Sequence, residues 1–286
     1  MISIPKYLTI GIVGYNVRVG RGVSRFQERI NMIVRDLSHL NVDLIIFPEY
    51  LGFDMVPISG LRNLIEDAAS YYDNYIDIFR NASTKYNVYV LAGTTSEPIG
   101  KHYYNTAHIF TPTGEILKYR KIFLHRIDKD LGFREGREIL LTRIKDVPIG
   151  VEICYDLGFS ELTKIYALNG ALGILSPAMA PGYGAYMWLR YCAHARAIEI
   201  QGFVALSTGT LKIPKVNISF YSKPSLLITT DYKEDGVLSE GKTIITASID
   251  ISKLQLIREK TMAPIIRDTK IDVINKLLDS ARNMNE

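Results

Sequence analysis

The chain has 286 residues, of which 47% are apolar and 22% charged, with 21 glycines and 11 prolines. This is ordinary globular composition and excludes a collagen repeat, a coiled coil or low-complexity disorder; at about 150 residues per domain, the length suits one large domain or two small ones. Lys and Arg number 34 against 30 Asp and Glu, a net charge of +4, and they form no basic stripe, so no nucleic-acid partner is expected. The longest near-apolar run, around Leu44 to Pro48, falls far short of the ~20 residues that span a bilayer, so no membrane partner is expected either. Residues 1–11 lack the charged and apolar regions of a secretory signal. The two cysteines, Cys154 and Cys192, make no disulfide framework, and a cytoplasmic location is expected.

In chain order, Tyr7 to Val13 reads as a strand and Ser24 to His39 as a helix, with Phe26, Ile30, Ile33, Val34 and Leu37 on one face. Val42 to Phe47 is almost wholly apolar, as in a strand covered on both sides. Leu61 to Tyr86 reads as mostly helical and Val88 to Thr94 as a strand. Tyr103 to Thr111 and Glu115 to Tyr119 flank a Pro/Gly turn and read as a hairpin. Ile139 to Arg143 and Ile149 to Cys154 are two more strands. Phe159 to Asn169 is a helix stopped by Gly170, followed by a strand over Ala171 to Ser176. Met187 to Gln201 reads as a helix ended by Gly202, and Phe203 to Ser207, Ser225 to Thr230 and Thr243 to Ile249 as the last strands. The chain from Asp250 onward reads as a helical tail, most strongly over Thr269 to Met284. About eleven strands and five or six helices, with parallel units and hairpins mixed, imply a mixed α/β layer fold.

Three segments place a reactive side chain where an apolar strand leaves the sheet, the place where α/β sheets bind ligands. They are Ile45-Ile-Phe-Pro-Glu49, Tyr119-Arg-Lys121-Ile-Phe-Leu124 and Gly150-Val-Glu-Ile-Cys154-Tyr-Asp. Taken singly each has a plain structural reading: a solvated loop acid, a lysine stem lying on apolar surface, a small buried thiol. Taken together they supply a base, a cation for a developing oxyanion and a nucleophile.

These segments carry a resemblance. With Tyr104-Asn-Thr-Ala, Gly150-Val-Glu-Ile-Cys-Tyr-Asp-Leu-Gly-Phe-Ser-Glu161, Ser176-Pro-Ala178 and Ala195-Arg-Ala-Ile-Glu199, the chain resembles the nitrilase, or carbon–nitrogen hydrolase, superfamily over about residues 7–260. The motifs stand in order, with Lys121 72 residues after Glu49 and Cys154 33 after Lys121. The resemblance implies a four-layer α-β-β-α sandwich, a Glu49–Lys121–Cys154 triad, a thioester intermediate, and association of copies through the outer helices. On that basis residues 1–260 form the hydrolase domain and 261–286 a C-terminal helical extension. The substrate is expected to be a small linear amide or N-carbamoyl compound, with a nitrile as the alternative. A catalytically quiet scaffold of the same fold is the reading from outside enzymology. Neither cofactor nor metal is needed. The resemblance also implies a homodimer or higher homo-oligomer, which the helices at Phe159 to Asn169 and Met187 to Gln201, apolar on more than one face, would suit. A dinucleotide site at Gly11-Ile-Val-Gly14 is disfavoured, because the full glycine fingerprint is missing.

The family often carries a second glutamate between the Lys and the Cys. Here the segment offers Asp128 and Asp130, each one methylene shorter, with Asp128 favoured by spacing from Lys121 and Asp130 by spacing from Gly136. The Tyr155 backbone N–H is expected to help Lys121 hold the oxyanion. Tyr50 and Phe53 on one side, and a Gly/aromatic loop from Ala178 to Met187 on the other, are candidate pocket walls. Glu161, Arg196 and Glu199 read as structural, Cys192 as core, and His102 and His108 as solvated.

Overall fold

The computed structural model describes residues 5–58, 63–212, 219–220, 224–230 and 236–283. The chain opens with β1 (Tyr7–Val13), β2 (Tyr15–Arg18), α1 (Val23–Ser38), β3 (Leu44–Ile46), α2 (Leu64–Ala69) and α3 (Tyr72–Tyr86). It continues through β4 (Tyr89–Ile99), β5 (His102–Phe110), β6 (Ile116–Arg120), α4 (Arg126–Leu131), β7 (Leu141–Ile144), β8 (Val147–Val151), α5 (Ser160–Leu168) and β9 (Gly173–Pro177). Then come α6 (Gly182–Ile200), β10 (Phe203–Ser207), β11 (Gly209–Lys212), β12 (Ser219–Phe220), β13 (Ser225–Thr229), β14 (Val237–Gly241), β15 (Ile244–Asp250), α7 (Ile251–Lys260) and α8 (Ile271–Asn283).

Two six-stranded sheets run β15-β1-β3-β4-β5-β6 and β14-β13-β10-β9-β8-β7. Each has a parallel centre, β1/β3/β4 in one and β8/β9/β10 in the other, with antiparallel strands on its flanks. Side-chain alternation sorts their residues into three cores. Leu8, Ile10, Ile12, Leu44 and Ile46 of the first sheet meet Ile149, Val151, Phe203 and Ala205 of the second in a core between the sheets. The opposite faces carry Ile45 and Val90 under α1 and α3, and Val204 and Leu206 under α5 and α6. This is the α-β-β-α sandwich. No helix among the described residues is long and apolar enough to cross a membrane.

The local reading needs several corrections. Two strands of a third, small sheet, β11 and β2, pair in parallel, with β12 on the outer edge. These short strands and β14 carry too few residues to show a period. The stretch from Leu61 to Tyr86 is two helices, broken at Ser70 and Tyr71; Leu61 and Arg62 lie outside the described residues. α6 begins at Gly182, not Met187. The glycines there cost helix about 1 kcal/mol each, which burial of Tyr186 and Leu189 against the sheet outweighs. The tail is two helices separated by a segment containing Pro264, and residues 284–286 lie outside the described residues. His108 is not solvated: it is fully buried and its Nε2 bonds the Tyr72 hydroxyl at 2.9 Å. Burial pushes the imidazole down to about 3, so it is neutral.

Candidate active site

Glu49, Lys121 and Cys154 each sit just past the end of a strand. β3 ends at Ile46, and Phe47 and Pro48 lead to Glu49. The next residue, Tyr50, is left-handed with φ 57°, and its N–H donates to Thr94 Oγ1 at 2.8 Å. Gly93 backs this turn. Its φ is +63°, and a Cβ there would lie 2.0 Å from the Pro48 carbonyl oxygen, so only glycine fits. Lys121 follows β6 directly; its N–H donates to Asn105 O at 3.0 Å and its carbonyl accepts from Gly136 N at 2.7 Å. Past β8, Cys154 opens a 3₁₀ turn over Cys154–Gly158 and is itself left-handed, φ 52°. A non-glycine residue held in that region is strained, and such strain gathers where function demands a fixed side-chain direction.

Asp156 ties the Cys154 turn to the lysine segment. Its carboxylate accepts from Ile153 N at 3.0 Å, Phe123 N at 2.8 Å and the Tyr119 hydroxyl at 2.8 Å. Burial lifts its pKa to about 6, with Lys121 and these donors pulling the other way.

Lys121 is 1% exposed and lies between two carboxylates, donating to Glu49 Oε1 at 2.8 Å and to Asp128 Oδ2 at 2.7 Å. Burial alone would lower its pKa, but the two acids outweigh burial and keep it well above the usual lysine value. An ammonium has three N–H bonds, so one remains for a ligand.

The two acids differ in their donors. Asp128 accepts from Lys121, from Tyr50 Oη at 2.6 Å, from Asn105 Nδ2 at 3.0 Å and from His125 N at 2.9 Å. Burial works against its charge, yet Lys121 and the donors prevail and hold its pKa below the ordinary value. Glu49 Oε1 accepts from Lys121 and from Asn105 Nδ2 at 2.9 Å, while Oε2 has no well-formed bond. Burial pushes Glu49 up to about 7; Lys121 and contact with the Cys154 thiol pull down, and Asp128 pushes up. The Cys154 thiol is raised well above its usual value, first by burial and then by Glu49. The resting pair is therefore a thiol beside a carboxylate poised near neutrality, the condition a general base needs.

A cavity of about 240 Å³ opens onto these groups, and its walls include Glu49, Tyr50, Lys121, Cys154 and Tyr155. The structure thus gathers Glu49, Lys121, Cys154, Tyr50 and Tyr155 at one opening. Asp128 sits behind it, fully buried on Lys121 and not in the cavity wall. Asp130 is not brought to the site: its side chain is 65% exposed and faces Arg126 at 3.6 Å. Two residues apart on α4, the two aspartates lie on different faces. Ala178 is not a wall either, being fully buried in the core under α5 and α6, while Met179, Ala180 and Pro181 line the cavity. Phe53 stacks behind Tyr50 at 5.3 Å without reaching the cavity. Sequence reasoning gave no role to Asn105, Asp156, His125 or Trp188. An amide inside the buried hairpin strand was the available signal for Asn105, since such a group must find partners.

The sequence profile of the carbon-nitrogen hydrolase family matches residues 9–259. The chain belongs to the carbon-nitrogen hydrolase family. Among curated relatives, the 2-oxoglutaramate amidase of Bacillus subtilis is 26% identical, with 93% of this chain and 98% of that protein covered. The probable hydrolase YhcX of the same organism is 24% identical over 92% of this chain, which spans about half (54%) of that longer protein. In fold, the carbon-nitrogen hydrolase from Helicobacter pylori G27 aligns with a TM-score of 0.81 at 19% identity, covering 96% of this chain and 98% of that one.

Proposed function

We propose that this carbon-nitrogen hydrolase cleaves a small amide through a thioester on Cys154. The observation that supports this is the meeting of Glu49, Lys121 and Cys154 at one cavity, with a basic carboxylate beside a thiol. Cys154 Sγ attacks the carbonyl carbon, its proton passes to Glu49, and a C–S bond forms. The oxyanion is held by the free N–H of Lys121 and by the backbone N–H of Tyr155, which lies in the first turn of the 3₁₀ helix where N–H groups lack helical partners. Collapse breaks the C–N bond, and the Glu49 proton leaves with the amine as ammonia. Water then attacks the thioester, giving its proton to Glu49; the C–S bond breaks, the sulfur is reprotonated and the acid departs. Asp128 stays anionic and holds Lys121 in place.

Mass spectrometry of the protein exposed to a panel of small amides, N-carbamoyl compounds and nitriles tests this. The expected result is an acyl adduct on Cys154 with amides, and no adduct or turnover in Cys154→Ala, whose melting stays near that of the native chain. Ammonia release that persists in Cys154→Ala would overturn the mechanism, and turnover of nitriles but not amides would overturn the substrate class.

A further inference from the structure

Cavity walls decide which acyl group can sit next to the sulfur. Beyond Glu49 and Lys121, already joined to each other, the described walls are apolar or aromatic: Tyr155, Trp188, Leu189, Met179 and Phe220 among them. His125 also lines the cavity, but burial and then Lys121 lower its pKa, so it offers a neutral ring. A carboxylate entering here would give up water for walls with no uncommitted cation among the described residues, an unfavourable exchange.

The most distinctive wall is Trp188. A Cβ at Gly158 would lie 2.6 Å from both Cη2 and Cζ2 of the indole, so the ring rests directly on the glycine. Gly158 is not among the glycines with positive φ. Glycine is therefore needed there for space, not for backbone conformation. Tyr155 lies beside the indole, with centroids 5.6 Å apart and ring planes 31° apart. Tyr155 is braced in turn by Phe159 at 5.3 Å and by His125 at 5.4 Å. Trp188 remains 40% exposed and lines the cavity.

We infer that the acyl group is uncharged and flat or apolar, seated against Trp188 and Tyr155, and that the Gly158–Trp188 contact sets this preference. The inference rests on the amide reading above and names its substrate class. An aromatic ring entering the cavity leaves water and finds aromatic partners, both favourable.

The test compares kcat/KM for 3-phenylpropanamide, propanamide and the monoamide of glutaric acid, by ammonia release from the full chain. The expected order places the phenyl amide ahead of the carboxylated one by about 100-fold. Trp188→Ala is expected to lower the phenyl amide's kcat/KM about 10-fold more than it lowers that of propanamide. Gly158→Ala, which pushes the indole off its seat with the ring retained, is expected to act in the same direction. Equal or better turnover of the carboxylated amide by the native chain would overturn the inference while leaving the amide reading intact. So would a Trp188→Ala loss of the same size for propanamide. No ammonia from any of the three would sink the amide reading, and the inference with it.

Discussion

Replacing Asp128 by Asn keeps the side chain's shape and removes one charge from the Glu49–Lys121–Asp128 row. All four groups that bond Asp128 are donors: the Lys121 ammonium, the Tyr50 hydroxyl, the Asn105 amide and the His125 N–H. An asparagine has one acceptor oxygen, so whichever way it turns its NH2 faces donors and at least one bond is lost. Orphaning a buried donor costs about 1–3 kcal/mol, which predicts a loss of stability of that size, and a less firmly held Lys121 predicts a lower plateau kcat/KM. The charge has a second effect. Asp128 and Glu49 flank one ammonium, and two like charges ~5 Å apart at an effective dielectric near 20 repel by about 3 kcal/mol. That is about 2 pKa units at most, and about 1 once the surroundings relax. Asp128 pushes the Glu49 pKa up, so its neutralisation lets that pKa fall.

The sign is then determined. The proposed mechanism needs Glu49 deprotonated, so native kcat/KM should fall below about pH 7, the pKa of Glu49. In Asp128→Asn the acid limb should move to lower pH by about 1–2 units. A kcat/KM profile by ammonia release, with thermal melts at each pH, reads both effects. A slower enzyme with an unmoved acid limb, or one moved upward, would refute the coupling argued between the two carboxylates.

Asp130→Ala should leave kcat/KM and melting unchanged, since the side chain is exposed and its partner Arg126 is exposed too; a 10-fold loss of rate would show that the loop acid reaches the substrate. Gly93→Ala puts a side chain at φ +63° and against the Pro48 carbonyl, which costs about 1–3 kcal/mol in backbone strain alone and displaces Glu49. Urea unfolding and kcat should both fall, and a variant as active as the native chain would contradict the close approach. Arg258 donates to the carbonyls of Gly170, Ala171, Ile200 and Gln201, where α5 and α6 end. Arg258→Ala should lower stability by about 2–3 kcal/mol with kcat/KM unchanged, as followed by urea midpoint, and Arg258→Lys should restore only part because it lacks the planar fork.

The layers were legible because a strand buried on both faces has nothing but apolar residues to show, as in Leu44, Ile45 and Ile46, and because alternation assigns each residue to one core. Glu49, Lys121 and Cys154 stood out only together: each alone has a plain structural reading, but three such side chains at three strand ends supply a base, a cation and a nucleophile. What stayed hidden depended on chain direction over short distances. α4 was not visible as six residues of mixed charge, and without it a count along the chain favours Asp128 from Lys121 and Asp130 from Gly136. The helix separates them. Asp128 takes the position whose carboxylate reaches back to the His125 N–H, while His125 Nδ1 accepts from Ile127 N, a reciprocal cap. The oxygen that accepts from His125 N also accepts from Lys121.

Helix capping and charge pairing thus fall on one atom. The brace comes from the first turn of α4, so the side chain need not span the gap by its own length. The same arrangement separates the two acids in chemistry. Glu49 and Asp128 share one ammonium, but Asp128 also holds three neutral donors, whereas Glu49 holds one and borders a thiol. The well-bonded acid stays anionic and the poorly bonded one rises toward neutrality, which in the proposed mechanism divides the work between a fixed counter-ion and a base that can carry a proton.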